Sequence, residues 1–197
     1  MGLISNGTTI FDNGVVNAGG SMTFISKATA SSSASIEFTS GIDSTYKEYV
    51  FYFVNIHPST NGTFFQFNMS TDGGSNYNVT KTTTSFYAYH TESGSASALT
   101  YDTGQDLAQG TGFQNLLYAI SSDSDSAGSG KLTIFNPSST TFVKQFLATS
   151  NTSATSPYSI NFRYGGYGNT TSPINAIKFQ MNSGNIDSGE ILLFGVN

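Results

Sequence analysis

Two histidines, twelve carboxylates and eleven tyrosines are the side chains with chemistry to offer in this chain of 197 residues, which has no cysteine. His57 precedes Pro58, and His90 closes the run SFYAYH. A closed zinc site takes about four ligands, so two isolated histidines without cysteine fall short of one. A serine nucleophile with a histidine base would announce itself most clearly as G-x-S-x-G, a spacing this chain lacks. Glycoside hydrolysis needs two carboxyls facing each other across an open cleft. Glu37 alternates with Ile36 and Phe38 and is expected to point outward, while Asp72, Asp123, Asp125 and Asp187 adjoin Gly or Ser, where turn capping accounts for them. Asp123 to Gly128 imitates the start of a calcium loop, but Ala127 and Ile134 occupy positions that need oxygen ligands. The expectation is a chain with no catalytic residue, no metal and no cofactor.

The tyrosines are more suggestive. Tyr77, Tyr87, Tyr89, Tyr101, Tyr158, Tyr164 and Tyr167 fall at expected loops and strand ends, and of these Tyr87, Tyr89, Tyr101, Tyr164 and Tyr167 are the expected surface-binding positions. Aromatic rings with a polar tip, set beside Asn and Asp, suit two tasks: stacking on a sugar, or burial at a subunit contact.

Such residues need a scaffold, and the pattern that supplies it has period two. The organising stretch is residues 45–58, TYKEYVFYFVNIHP. Extended, it turns Val50, Tyr52, Val54 and Ile56 to one side and Tyr49, Phe51 and Phe53 to the other. Both sides are apolar, which predicts a central strand covered on both faces. Short alternating runs follow the same rule at 21–27, 34–39, 65–69, 85–90, 114–120, 131–136, 141–149, 159–164, 177–181 and 190–196. Asn61-Gly62 and Asp72-Gly73-Gly74 mark turns. Residues 91–112, 151–157 and 165–171 read as loops. The sum is an all-β chain: a single antiparallel β-sandwich of jelly-roll type over residues 21–197. Residues 1–20 are expected to be an extended N-terminal arm, with Leu3, Ile4, Ile10 and Phe11 as its docking groups.

Composition narrows the function further. Charged residues make up 10% of the chain, the formal net charge is −5, and Arg163 is the single arginine. Seven scattered cations do not build the face that releases counterions from a nucleic acid, so no nucleic-acid partner is expected. No run reaches the ~18 apolar residues of a membrane-spanning helix, so no membrane insertion is expected. The opening GLISNGTTIFDNG lacks the basic and apolar regions of a secretory signal. A weakly charged Ser/Thr/Asn surface on a chain made in a cytoplasm fits a virion component released by lysis.

Three stretches then carry a resemblance: SGIDSTYKEYVFYFVNIHP, STDGGSNYN and the closing NSGNIDSGEILLFGV. Together they resemble β-sandwich virion proteins of tailed bacteriophages, notably marine ones, over residues 34–196. The resemblance implies a non-enzymatic virion structural protein, a surface-exposed appendage such as a tail fibre engaged in host attachment. It implies a homotrimer in contact with other virion proteins and with a host surface glycan, located in the virion after synthesis in the host cytoplasm. Capsid decoration is the alternative within the same family. A carbohydrate-binding module and a β-sandwich glycoside hydrolase are the alternatives outside it.

Overall fold

The computed structural model describes the backbone of residues 3–5, 8–12 and 15–16 and the whole of residues 21–197. Every named element is a strand. Strands β1 (Leu3–Ser5), β2 (Thr8–Asp12) and β3 (Val15–Val16) form a small antiparallel sheet in that order. Leu3, Ile4, Ile10 and Phe11 belong to it by backbone, but their side chains lie outside the described residues.

The sandwich is built from twelve further strands. These are β4 (Met22–Thr29), β5 (Ser35–Phe38), β6 (Glu48–Pro58), β7 (Thr63–Ser70), β8 (Lys81–Thr91) and β9 (Ser97–Tyr101). The second half adds β10 (Gln114–Ile120), β11 (Gly128–Phe135), β12 (Lys144–Ser153), β13 (Tyr158–Gly168), β14 (Ala176–Met181) and β15 (Ile186–Val196). A wide sheet runs β4-β15-β6-β11-β12-β13-β8-β9, eight strands, and a narrow one runs β10-β7-β14-β5, four strands. All pairings are antiparallel. The expected β-sandwich is therefore present, with sheets of unequal width.

The core is phenylalanine laid between the sheets. Tyr49, Phe51 and Phe53 of β6 point inward and are fully buried. They meet the alternating residues of the narrow sheet: Phe51 packs on Phe38 and Phe179 with ring centroids 5.3 and 5.4 Å apart, and Phe53 on Phe65 at 5.5 Å. Phe65 and Phe179 stack face to face at 5.6 Å. Offset and edge-on rings each contribute about 0.5–1.5 kcal/mol beyond their buried area.

The other side of β6 departs from expectation. It is not covered throughout: Val50 is buried, Tyr52 is half-buried and Val54 is exposed. Ile56 also changes side. Asn55 is an extra residue with φ +50°, and the ladders to β11 and β15 both slip beside it. A one-residue bulge inverts every later side chain. Ile56 and Pro58 therefore join Tyr49 in the core.

Two expected loops prove to be strand. β9 lies inside residues 91–112, and all five of its residues are exposed, so no alternation marks it. β13 continues through Gly165, Gly166 and Gly168. A Cβ on Gly166 would sit 2.6 Å from Thr83 Cγ2, and one on Gly168 would sit 2.8 Å from Met69 Cε. These glycines are strand positions where a neighbour comes close.

Candidate functional site

Because the wide sheet has more strands than the narrow one, its inner surface extends past the edge strand β10. Toward one end of β8 this overhang is closed by the chain between β9 and β10. Leu107 N–H donates to Thr83 Oγ1 (2.8 Å), and Lys81 and Gly110 exchange backbone bonds of 2.8 and 2.9 Å. Beneath it Lys81 is fully buried, donating from Nζ to Asn68 Oδ1 (2.6 Å) and the Val79 carbonyl (2.8 Å). Burial holds its ammonium far below the usual lysine range, at about 7.

Toward the other end of β8 the overhang stays open and forms a cleft of about 390 Å³, within the ~300–1,000 Å³ of ordinary ligand sites. Tyr87 and Tyr89 of β8 and Tyr158 and Ile160 of β13 come from the wide sheet, and Tyr118 of β10 comes from the narrow one. Alternation along the strands puts Tyr87, Tyr89, Tyr158 and Ile160 on the inner face, with Tyr89 directly opposite Ile160. The rings brace one another. Tyr87 and Tyr89 are 6.2 Å apart at 40°, and Tyr89 and Tyr158 are 5.7 Å apart at 59°. Phe162 stacks on Tyr118 at 5.3 Å and packs on Tyr87 at 5.0 Å. Thr91, Ala96 and Ser156 complete the lining, which contains no charged side chain. Burial is the main cause that raises the Tyr87 and Tyr158 phenols, with neighbouring tyrosines adding to it and, for Tyr87, the charge of Asp102. Both are uncharged at neutral pH.

The expected surface tyrosines thus divide. Tyr87 and Tyr89 line the cleft. Tyr101 lies on the opposite face of the wide sheet, with its hydroxyl donating to Asp106 Oδ2 at 2.5 Å. Tyr167 is a half-buried residue of β13. Tyr164 corrects the expectation outright. It is buried in the core against Phe162, with ring centroids 5.2 Å apart, and its hydroxyl has no protein hydrogen-bond partner among the described residues. Tyr158, one of the clustered tyrosines, also lines the cleft, and Tyr118 is a cleft residue that the cluster lacked. Tyr118 stands in QNLLYAI, a run that reads as core.

The two outer faces of the sandwich contrast. That of the narrow sheet is polar: Lys178 pairs with Glu37 (3.0 Å) and sits 5.4 Å over the Tyr77 ring, while Gln66 donates to Asn115 Oδ1 (2.6 Å). That of the wide sheet mixes exposed apolar side chains with Lys131, Arg163 and the Lys27–Glu190 pair. Phe24, Tyr52 and Phe194 cluster on it with centroids 5.6–5.7 Å apart. Phe86, Leu99, Tyr101 and Leu147 are exposed farther along, Leu99 to 74% and Leu147 to 57%. Between them Gly165 leaves a groove of about 500 Å³, bordered by Phe86, Leu147 and Phe135 and by the charged Glu48, Lys131 and Arg163.

Several of the remaining candidates for chemistry are engaged in structure. His57 lies 3.3 Å from the Asp123 carbonyl through Nε2, an acceptor that fixes the proton on that nitrogen, and Nδ1 is 3.7 Å from Asp187 Oδ2. His90 is exposed on β8. Asp72 accepts from Ser70 Oγ (2.6 Å) and from Asn76 N–H (2.9 Å), which holds its carboxyl at about 2. Glu190 pairs with Lys27 at 2.6 Å. Among the described residues, no cluster of three or more His, Asp or Glu could hold a metal ion.

Comparison with protein-family models, with curated proteins and with solved structures finds no match to the chain.

Proposed function

We propose that the chain is a non-enzymatic structural subunit of a tailed-phage particle, a surface appendage that packs against copies of itself through the outer face of the wide sheet. The observation that carries this reading is the number of large apolar side chains that the wide sheet exposes on its outer face. A solvated sheet face normally alternates to polar residues, as the narrow sheet does. The wide sheet instead exposes Phe24, Val54, Phe86, Leu99 and Leu147. Extended exposed apolar surface on a soluble chain marks a contact with another molecule. Repeated copies in a symmetric assembly supply that contact, and a trimer is the expected closure. The particle context draws on the resemblance of residues 34–196 to phage β-sandwich virion proteins.

Phe86→Asp combined with Leu147→Asp tests the assembly. Sedimentation velocity is expected to show an oligomer for the native chain and a monomer for the variant, which keeps a cooperative melting transition that no longer depends on protein concentration. A native chain that stays monomeric at the highest soluble concentration overturns the assembly reading. Mass spectrometry of purified particles of the phage that encodes the chain tests the context, and its absence from them overturns that half.

A further inference from the structure

We infer that the tyrosine cleft at the open end of the overhang is a binding site for a neutral pyranose sugar. The inference does not rest on the particle reading, because it concerns the inner face of the sandwich and can be tested on the isolated chain.

The chemistry of the lining selects the ligand. Four phenol rings from three strands surround about 390 Å³, and they are not parallel: neighbours are tilted by 40° and 59°. Tilted rings form a curved wall whose faces suit the axial C–H groups of a pyranose. Their hydroxyl tips, with Thr91 and Ser156, offer donors and acceptors to the sugar hydroxyls. Tyr87 and Tyr158 stay protonated well past neutral pH, and no charged side chain lines the cleft. An anionic sugar finds no counter-charge there. A quaternary ammonium would also find ring faces here, but the hydroxyls of the lining would have no partner on it, and choline is therefore the comparator that decides.

The site is also built in advance. Tyr87 and Tyr118 are both held against the buried ring of Phe162, and Tyr89 against Tyr158. Rings fixed before binding lose little rotamer freedom when a ligand arrives. The core of the sandwich does not need these hydroxyls: the causes that shift Tyr87 and Tyr158 are burial and neighbouring charge, with no protein hydrogen bond among them.

The experiment is saturation-transfer NMR on the full chain with the methyl glycosides of glucose, galactose, mannose and N-acetylglucosamine. Sialic acid and choline serve as charged comparators. The expected result is transfer to the ring C–H protons of at least one neutral glycoside, with a dissociation constant of about 1 mM. Tyr89→Ala and Tyr158→Ala should each weaken it at least about tenfold. Tyr89→Phe keeps the stacking face and is expected to lose less, which separates loss of a binding ring from loss of fold. Tyr101→Ala, on the opposite sheet face, should leave binding unchanged. No transfer from any of the four neutral glycosides overturns the inference. So does preferential binding of sialic acid or choline, or binding that survives both cleft alanine substitutions.

Discussion

Lys81 is a fully buried lysine. Its ammonium is walled in by β7 and by the chain that closes one end of the overhang, with Asn68 Oδ1 and the Val79 carbonyl as its acceptors. Burial lowers it from 10.5 to about 7. Between those two values the unfolded chain carries a proton that the folded chain has released. Stability therefore rises with pH across that window, and the full cost of burying the charge is felt below it. Urea titrations at about pH 7 and about pH 9.5 should show the native chain gaining stability, and Lys81→Met should gain less, keeping only the share from Lys144, which burial also lowers. The comparison stays below the ordinary tyrosine value of 10.0, because the raised Tyr87 and Tyr158 phenols act in the opposite sense above it. Nothing in the sequence around Lys81 signals this, since a lysine ahead of the threonine run KTTTS reads as solvated. The expectation of Tyr164 at the surface runs against a signal that the sequence does carry. Tyr164 shares parity with Ile160 and Phe162, so alternation alone assigns it to the core. Tyr118 was hidden because the same alternation cannot say where one sheet ends and its partner continues.

At the scale of the strand, glycine was the misleading residue. Gly165 to Gly168 reads as a loop because glycine supplies turns, yet here it lets β13 press against β8 along its whole length. A Cβ at Gly166 would meet Thr83 Cγ2 at 2.6 Å and the Thr82 carbonyl oxygen at 2.7 Å. The second is backbone and cannot swing aside. Gly166→Ala is expected to destabilise the fold by about 1–3 kcal/mol, read by chemical denaturation, as overpacking does elsewhere. The bulge at Asn55 escaped for a related reason. Val54, Asn55 and Ile56 fit an unbroken strand equally well, and only the two slipped ladders reveal the extra residue. The inner face of β6 was nevertheless legible from Tyr49, Phe51 and Phe53, because those residues precede the bulge.

At the scale of the whole molecule, the sandwich was readable and its inequality was not. Period-two patterning reports which side of a strand is apolar; it is silent on how many strands share a sheet. The wide sheet creates both surfaces of interest, the open cleft within and the exposed apolar side chains without. It also decides how the molecule bears load. β4 and β15 are antiparallel neighbours, and Met22 stands opposite Val196. Residues 22 and 196 thus leave the body side by side at one corner of the sheet. Tension applied between them does not cross the phenylalanine core. It opens the β4–β15 ladder bond by bond, as a zipper, instead of shearing all the bonds together. Single-molecule pulling between these two residues should detach β4 at low force before the rest of the sandwich yields; one high-force rupture of the whole domain would contradict this. A subunit tethered through residues 22 and 196 can therefore yield at one corner while its cleft keeps its shape.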